Sequence, residues 1–319
     1  MIPEINISIT DPPRERWRLS KPSSHRAREL ILRTVEEVGG VAPYQDYLLE
    51  YAATCVKEEY IHEIEGLAKH SGTEYIEALA ANLYYDFVKL LLGCTAFAVN
   101  TENGPMHARN MDWFSHGDSL SELTTILNFQ DGGTTRFQSV GWPGAVGVLS
   151  AMAPGRFTVT LNAVLSDEPI QAATPVALLI REVCQTAENF QEAVEILSTR
   201  PITSDCLLLV TGTRPGEMVV IERTPTRHAI RTTDEEFIVV TNDYRTLDCG
   251  SEEASGEIYE STCGRYNTAI QSLKANLSSK VEQCFSVLND EDVKMEITVQ
   301  QMVMCANTGA LEVRTPHHS

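Results

Sequence analysis

The stretch GCTAFAVNTENGPMHARNMDWFS, residues 93 to 115, decides how the rest of the chain is read. Cys94-Thr95 opens an apolar β-type run that reaches Val99, Asn103-Gly104 supplies a turn, and a second run returns from Pro105. An Asn-Gly step between two such runs signals a hairpin, because both residues tolerate the positive φ of a tight turn. Folded there, the chain carries Arg109 and Asp112 back beside Cys94. Charged groups inside an apolar ribbon need partners, so a hydrogen-bonded constellation is expected in place of a loose surface pair. Gly93, lacking a Cβ, permits the unusual backbone geometry that cleavage of the bond before Cys94 requires. Taken alone, Gly-Cys-Thr reads equally as a turn followed by a packed thiol, and Arg109 with Asp112 as a structural ion pair.

Downstream, short β-type runs recur at 123–129, 134–140, 147–152 and 157–161, separated by Asp-Gly-Gly and Pro-Gly turn signals. Helical periodicity follows at 175–184 and 189–198, then strands at 206–210, 218–222 and 237–241. Helices near 267–273 and 280–288 precede final strands at 297–305 and 311–313. Strands, helices and strands in this order stack as two sheets with helices on their outer faces. The expected fold is therefore α+β, a four-layer αββα arrangement.

Upstream, residues 24–92 are helical in pattern. Ala27, Ile31, Val35 and Val38 recur at helical spacing, as do Val56, Tyr60, Ile64 and Leu67, with Gly39-Gly40 and Pro43 between the two sets. Ser71 and Glu74 have capping-box spacing and predict a third helix over 73–92. Its face, with Ile76, Leu79, Leu83, Phe87 and Leu91, is too broad to stay wet: it packs on the core, lines an acyl-chain site, or docks on a lipid surface. The first dozen residues and 314–319 read as tails.

The 319 residues are 43 % apolar, enough for a large core. Against 25 Lys and Arg stand 44 Asp and Glu, a formal charge of -19 that repels nucleic-acid phosphates and acidic lipid headgroups. Transient contact with a neutral lipid surface needs no positive charge and stays open. The eight cysteines show no C-x-x-C pair and read mainly as reduced, buried side chains, with Cys249 and Cys263 able to pair only in an oxidising compartment. The opening MIPEINISITDPPRERWRLS has no basic leader or long apolar run, so a cytoplasmic location is expected. No zincin, Walker A or Rossmann signature is present, and neither a metal nor an organic cofactor is implied.

The chain resembles the acid ceramidase and N-acylethanolamine acid amidase family, within the cholylglycine hydrolase group of N-terminal-nucleophile enzymes. The likeness rests on ISITDPPRERW at 7–17, Cys94-Thr95 running on to Asn100, H-x-R-N-M-D-W at 107–113, VGVLSAMAPGRFTVTLN at 146–162 and VVTNDYR at 239–245. It implies an N-terminal-nucleophile αββα fold, with residues 1–93 a helical pro-region that stays bound after cleavage between Gly93 and Cys94, and 94–319 the catalytic domain. It implies Cys94 as nucleophile, Asp112 as partner of the new α-amine, Arg109 and Arg265 as a charged framework, and Asn242 as a donor to the oxyanion. The chain departs from the family pattern at Ser261-Thr262-Cys263-Gly264-Arg265-Tyr266, where a paired-arginine motif is usual. It departs again at Ala163-Val164, where an acidic and a basic residue often follow Asn162.

The chemistry is consistent with those roles. Cutting before Cys94 creates an α-amine with a reference pKa of about 7.7–8.0, suited to shuttling protons near neutrality. The expected activity is hydrolysis of linear N-acyl amides, fatty-acyl amides foremost, through a thioester. Bile-salt amides, β-lactam side-chain amides, acyl-homoserine lactones and acyl transfer to an amine are the alternatives, and a non-enzymatic binding protein of the same fold is another class. Trp113, Trp142 and Asn162 are candidates for the substrate pocket. His107 reads as a packed hydrogen-bonding group, and His317 and His318 fall in the tail. Oligomeric state is open.

Overall fold

The computed structural model describes residues 1–88, 92–114, 119–249, 260–277 and 280–316. His317 and His318 lie outside the described residues. The chain opens with a strand, β1 (Glu4–Ser8), and then four helices: α1 (Lys21–Glu37), α2 (Gln45–Cys55), α3 (Glu58–Ser71) and α4 (Tyr75–Val88). The Ser20 hydroxyl accepts the Ser23 N–H at the start of α1, satisfying one of its orphan amides. Gly72, at φ +72°, ends α3 with its N–H on the Ala68 carbonyl. Ser71 therefore belongs to the end of α3, and the capping box expected from Ser71 and Glu74 does not form. Glu77 instead accepts the Glu74 N–H at 2.9 Å where α4 begins. Helix α2 is an element that the broader periodicity does not separate.

The central hairpin is β2 (Leu92–Val99) and β3 (Met106–Trp113), joined by a turn in which Gly104 adopts φ +88°. After the short helix α5 (Ser119–Glu122) come β4 (Thr125–Asp131), β5 (Thr134–Gly141), β6 (Ser150–Ala153) and β7 (Phe157–Asn162). Next are α6 (Val176–Thr186), α7 (Phe190–Thr199), β8 (Cys206–Thr211), β9 (Met218–Arg223), β10 (His228–Arg231) and β11 (Phe237–Val240). The chain ends with α8 (Thr262–Ala275), α9 (Val281–Leu288), β12 (Thr298–Cys305) and β13 (Ala310–Arg314).

Two sheets result. One has eight strands in the order β1-β4-β5-β6-β7-β8-β9-β10, the other five in the order β11-β2-β3-β12-β13. They face each other through two apolar clusters, one built on Ala96, Ala98, Leu207 and Val220, the other on Val140, Met152, Met302 and Met304. Helices α8 and α9 cover the outer face of the smaller sheet around Phe97, Val99, Phe285 and Leu288. Helices α6 and α7, with α1 to α4 beyond them, share the outer core of the larger sheet with Phe129, Phe137 and Val159. This is the expected αββα stack.

The N-terminal segment departs from expectation, because β1 pairs in parallel with β4, Ile7 against Phe129, and Trp17 is fully buried. These residues are part of the sheet and its core, and are no tail. The buried face of α4, with Ala78, Leu79 and Leu83, is core as well, which removes the lipid-docking alternative for those residues. At the other end Arg314 closes β13 and Thr315 is buried. Among the described residues no helix is long and apolar enough to cross a membrane. Most of the cysteines are buried, as expected, with Cys263 exposed and Cys55 half-buried, and Cys249 and Cys263 are not paired.

Candidate active site

Strand parity decides what surrounds Cys94. In the β2–β3 ladder Cys94 pairs with Met111, Ala96 with Arg109 and Gly93 with Asp112. Residues opposite each other share a face, so Cys94, Met111 and Arg109 point between the sheets, while Asp112, Asn110 and Thr95 point toward α8 and α9. The hairpin thus brings both charged residues near Cys94, but only Arg109 to its thiol.

Cys94 is buried, 1 % exposed. Arg109 Nη2 donates to Cys94 Sγ at 3.0 Å, and the thiol lies 3.7 Å from the Leu161 carbonyl. The guanidinium is fixed by the Leu149 carbonyl at 2.6 Å, the Ser150 hydroxyl at 2.5 Å and the Leu161 carbonyl. The fixed guanidinium thereby sets where the sulfur lies. On the other face, Arg265 from α8 donates through Nη1 to the Cys94 carbonyl at 2.7 Å and to Thr95 Oγ1 at 3.0 Å. Its Nη2 reaches Asn242 Oδ1 at 2.9 Å. That same oxygen accepts the Cys94 main-chain N–H at 3.0 Å, while Asn242 Nδ2 donates to the Ala163 carbonyl at 2.8 Å. Asn242 is further held by its own N–H on Thr262 Oγ1, at 2.8 Å. Burial pulls the Arg265 guanidinium below its ordinary range, against the opposing pull of Asp112.

Asp112 is fully buried. Its Oδ1 accepts the Thr298 hydroxyl at 2.6 Å, and Oδ2 has no hydrogen-bond partner among the described residues. Burial pushes its carboxyl upward, with Arg265, the Thr298 bond and Arg109 opposing. Thr298 reaches Asp112 at an irregularity of the β12–β3 register, between Thr298 and Gln300. No sequence signal marks Thr298 or Thr262; both act through tertiary pairing alone.

His107 is sealed between the Thr158 and Thr160 hydroxyls of β7, at 2.6 and 2.8 Å, and burial pushes its pKa down to about 3 with help from the Arg109 charge. It is a neutral packing group, as its sequence setting implies. The pocket candidates separate. Trp113 and Trp142 meet edge to face at 5.4 Å, Trp113 stacks on Tyr84 at 5.8 Å, and all three line a cleft of about 110 Å³. Leu30 and Ile31 of α1, Tyr85 of α4 and Leu149 complete much of its wall. Asn162 is absent from that wall: its Nδ2 donates to the Thr241 carbonyl at 2.9 Å, bracing the Asn242 turn. Ala163 and Val164 are buried, so positions where the family often carries charge are given over to packing here. The cleft is linked to the Arg109 guanidinium through Leu149, whose carbonyl accepts from it, and Cys94 is not on its wall.

Two facing sheets with helices outside, and a buried cysteine at the start of a central strand flanked by two arginines and an aspartate, define an N-terminal-nucleophile fold. The sequence model of the acyl-coenzyme A:6-aminopenicillanic acid acyl-transferase family matches residues 99–305, and the chain belongs to that family. It is 28 % identical over 242 residues to the N-acylethanolamine-hydrolyzing acid amidase of Cavia porcellus, a match covering 69 % of this chain and 65 % of that relative. It is 25 % identical over 253 residues to the acid ceramidase of Balaenoptera acutorostrata scammoni, covering 70 % and 63 %. The chain thus spans slightly less than two thirds of the length of these curated relatives. A solved structure of the Caenorhabditis elegans N-acylethanolamine-hydrolyzing acid amidase ortholog aligns with TM-score 0.57 and 25 % identity, covering 67 % of this chain and 93 % of that one. The relatives matched over 69 % and 70 % of the chain bear the names of the family that the 107–113 and 239–245 motifs resemble.

Proposed function

We propose that the protein is a cysteine amidase made as a precursor, activated by cutting itself between Gly93 and Cys94, and acting on linear N-acyl amides with an apolar acyl chain. The observation that carries this reading is the Arg109 guanidinium 3.0 Å from Cys94 Sγ, on the residue whose own N–H is held by Asn242. In activation the thiol attacks the Gly93 carbonyl carbon, its proton passes to the departing Cys94 nitrogen, and water hydrolyses the resulting thioester. The product is a free α-amine at Cys94. The unpartnered Asp112 Oδ2 supports the role of partner to that amine, since a buried carboxylate oxygen without a donor is costly until a cation arrives.

In turnover Cys94 attacks the substrate carbonyl, the α-amine takes the thiol proton and delivers it to the leaving amine, and water releases the acid. The second hydrogen of Asn242 Nδ2 and a main-chain N–H serve the oxyanion. The cleft of Trp113, Trp142, Tyr84, Leu30 and Ile31 takes the acyl chain. Its walls come from both sides of the cut, and residues 1–93 stay bound because β1 and Trp17 are built into the larger sheet and its core. The relatives' names, N-acylethanolamine-hydrolyzing acid amidase and acid ceramidase, support a lipid amide as substrate.

Acyl transfer is the second reading, favoured by the name of the matched family and reached through the same thioester when an amine replaces water. Intact mass and N-terminal sequencing after incubation from acidic to neutral pH test the cut: fragments 1–93 and 94–319 are expected. A full-length chain that turns over amides sinks the mechanism. A panel varying acyl length at fixed amine, read as kcat/KM, tests the substrate class, and added amine separates transfer from hydrolysis.

A further inference from the structure

Glu222, in β9, is fully buried, and the mechanism above makes no use of it. Its Oε2 accepts the main-chain N–H groups of Thr246 at 2.8 Å and Leu247 at 2.9 Å, and the Arg245 N–H lies 3.2 Å from both oxygens. Arg231 Nε of β10 adds a fourth donor at 3.3 Å. Successive amides converging on one point form an anion-binding concavity. Here the anion is the chain's own carboxylate.

The loop so held begins at Asn242. It leaves β11, a strand of the five-stranded sheet, whereas Glu222 belongs to the eight-stranded one. Neighbouring contacts join the same two sheets, the Tyr244 hydroxyl donating to the Arg223 carbonyl at 2.8 Å and Arg231 Nη2 to the Val239 carbonyl at 2.9 Å, while Arg245 lies over the Tyr266 ring of α8 at 3.3 Å. Cys94 is carried by the smaller sheet, and Ala163, the acceptor of Asn242 Nδ2, follows β7 of the larger one. Asn242 therefore has to be held relative to both sheets at once. The tie from the loop to Glu222 adds to the Asn162 bond on the Thr241 carbonyl in doing that.

We propose that Glu222 is a positioning residue for Asn242, its carboxylate setting the backbone of 243–247 and through it the aim of the Asn242 amide at Cys94 and the oxyanion. The proposal rests on the reading of Asn242 given above. In Glu222→Gln one carboxylate oxygen becomes an NH2 group facing N–H donors, so the loop loses its mould while the volume stays the same. The expected result is a fall in kcat of about tenfold or more with KM within about twofold, the pattern of a contact made in the transition state. Amide exchange at 245–247 quickens, and the Asn242 side-chain amide resonance shifts or broadens. Formate restores part of the turnover of Glu222→Ala by filling the vacated concavity.

Unchanged turnover, or an unmoved Asn242 resonance, in a folded Glu222→Gln protein overturns the proposal. So does a joint loss of kcat and thermal stability that formate does not repair, which marks a purely structural carboxylate. If neither variant folds, exchange in the wild-type protein decides: amides 245–247 no slower than exposed loop amides overturn it, and protected ones support it. A wild-type protein without amide turnover sinks the proposed function but leaves the Asn242 resonance to report on Glu222.

Discussion

Asn242 Oδ1 accepts two hydrogen bonds at once, from the Cys94 main-chain N–H at 3.0 Å and from Arg265 Nη2 at 2.9 Å. Two donors on one atom fix which end of the amide is oxygen. Arg265 therefore orients the group while also holding the Cys94 carbonyl, a two-pronged task that a lysine cannot perform. Arg265→Lys is expected to lower kcat about 100-fold, and Asn242→Ala to cost about 3 kcal/mol of transition-state stabilisation, with cleaved fragments still detectable in both. Single-turnover acylation rates check this; wild-type rates in either variant remove that residue from the site.

Cys94→Ser should keep the fold, since a hydroxyl occupies similar space, but remain a single 35.3 kDa chain and lose nearly all turnover. Mass spectrometry and a fluorogenic amide read both outcomes. Wild-type turnover in the verified variant excludes Cys94 as nucleophile.

His107 links stability to acid. Its pKa is about 3 in the fold against an ordinary 6.5, so the folded protein prefers the neutral ring. The stabilisation is present above 6.5 and is lost as pH falls from 6.5 toward 3. Between pH 7 and 4 the wild type should lose about 3 kcal/mol more stability than His107→Gln, a side chain still able to bond both threonines. Urea midpoints at the two pH values measure the difference, and parallel curves refute it.

The aromatic cleft makes a claim about chain length. Ala81 lies on its wall, and Ala81→Phe should fill it without touching Cys94. Each excluded methylene is worth about 0.8 kcal/mol, about fourfold in kcat/KM, so the longest acyl amides should suffer most and the shortest least. A uniform loss along the series moves the acyl chain elsewhere.

Glu63 joins the N-terminal segment to the rest of the molecule. Fully buried, it meets Arg16 at 2.6 Å, the Trp17 indole N–H at 2.8 Å and buried Arg181 of α6 at 3.4 Å. Arg181 in turn lies over the Phe129 ring at 3.8 Å. Glu63→Gln leaves buried Arg181 without its carboxylate, while Arg16 keeps Glu59, a change worth about 3 kcal/mol. The uncut chain should stay folded at reduced stability, while cleaved material should part in mild urea that leaves the wild-type pair intact. Size-exclusion chromatography distinguishes the two.

The hairpin was legible because Asn103-Gly104 sits between two apolar runs, and the layered order of later elements followed from periodicity. Which face each residue takes was not. That depends on register, and the ladder puts Asp112 opposite Gly93, across the strand from the thiol. The parallel pairing of β1 with β4 joins segments more than a hundred residues apart, and β1 buries little beyond Ile7, so local pattern could not reveal it. Strand β10 has no buried residue and reads as loop. Asn162 reads from its place in TVTLN as a turn-stabilising residue or a pocket residue, and its carbonyl partners belong to the Asn242 turn. Arg265 was reached through resemblance alone, since a single arginine on a weakly amphipathic helix carries no signal of its own.

The place of β1 at the edge of the larger sheet has a consequence for how the molecule lasts. Its partner β4 lies beyond Cys94 in the chain, so the two ends of one parallel pair fall on opposite sides of the proposed cut. While the chain is continuous, closing that pair is an intramolecular event at high effective concentration; once cut, the same closure becomes bimolecular. The processed protein then persists by the height of its unfolding barrier, with no comparable route back. Cleavage would make the fold a one-time event, and denatured enzyme should be recoverable only from the uncut chain.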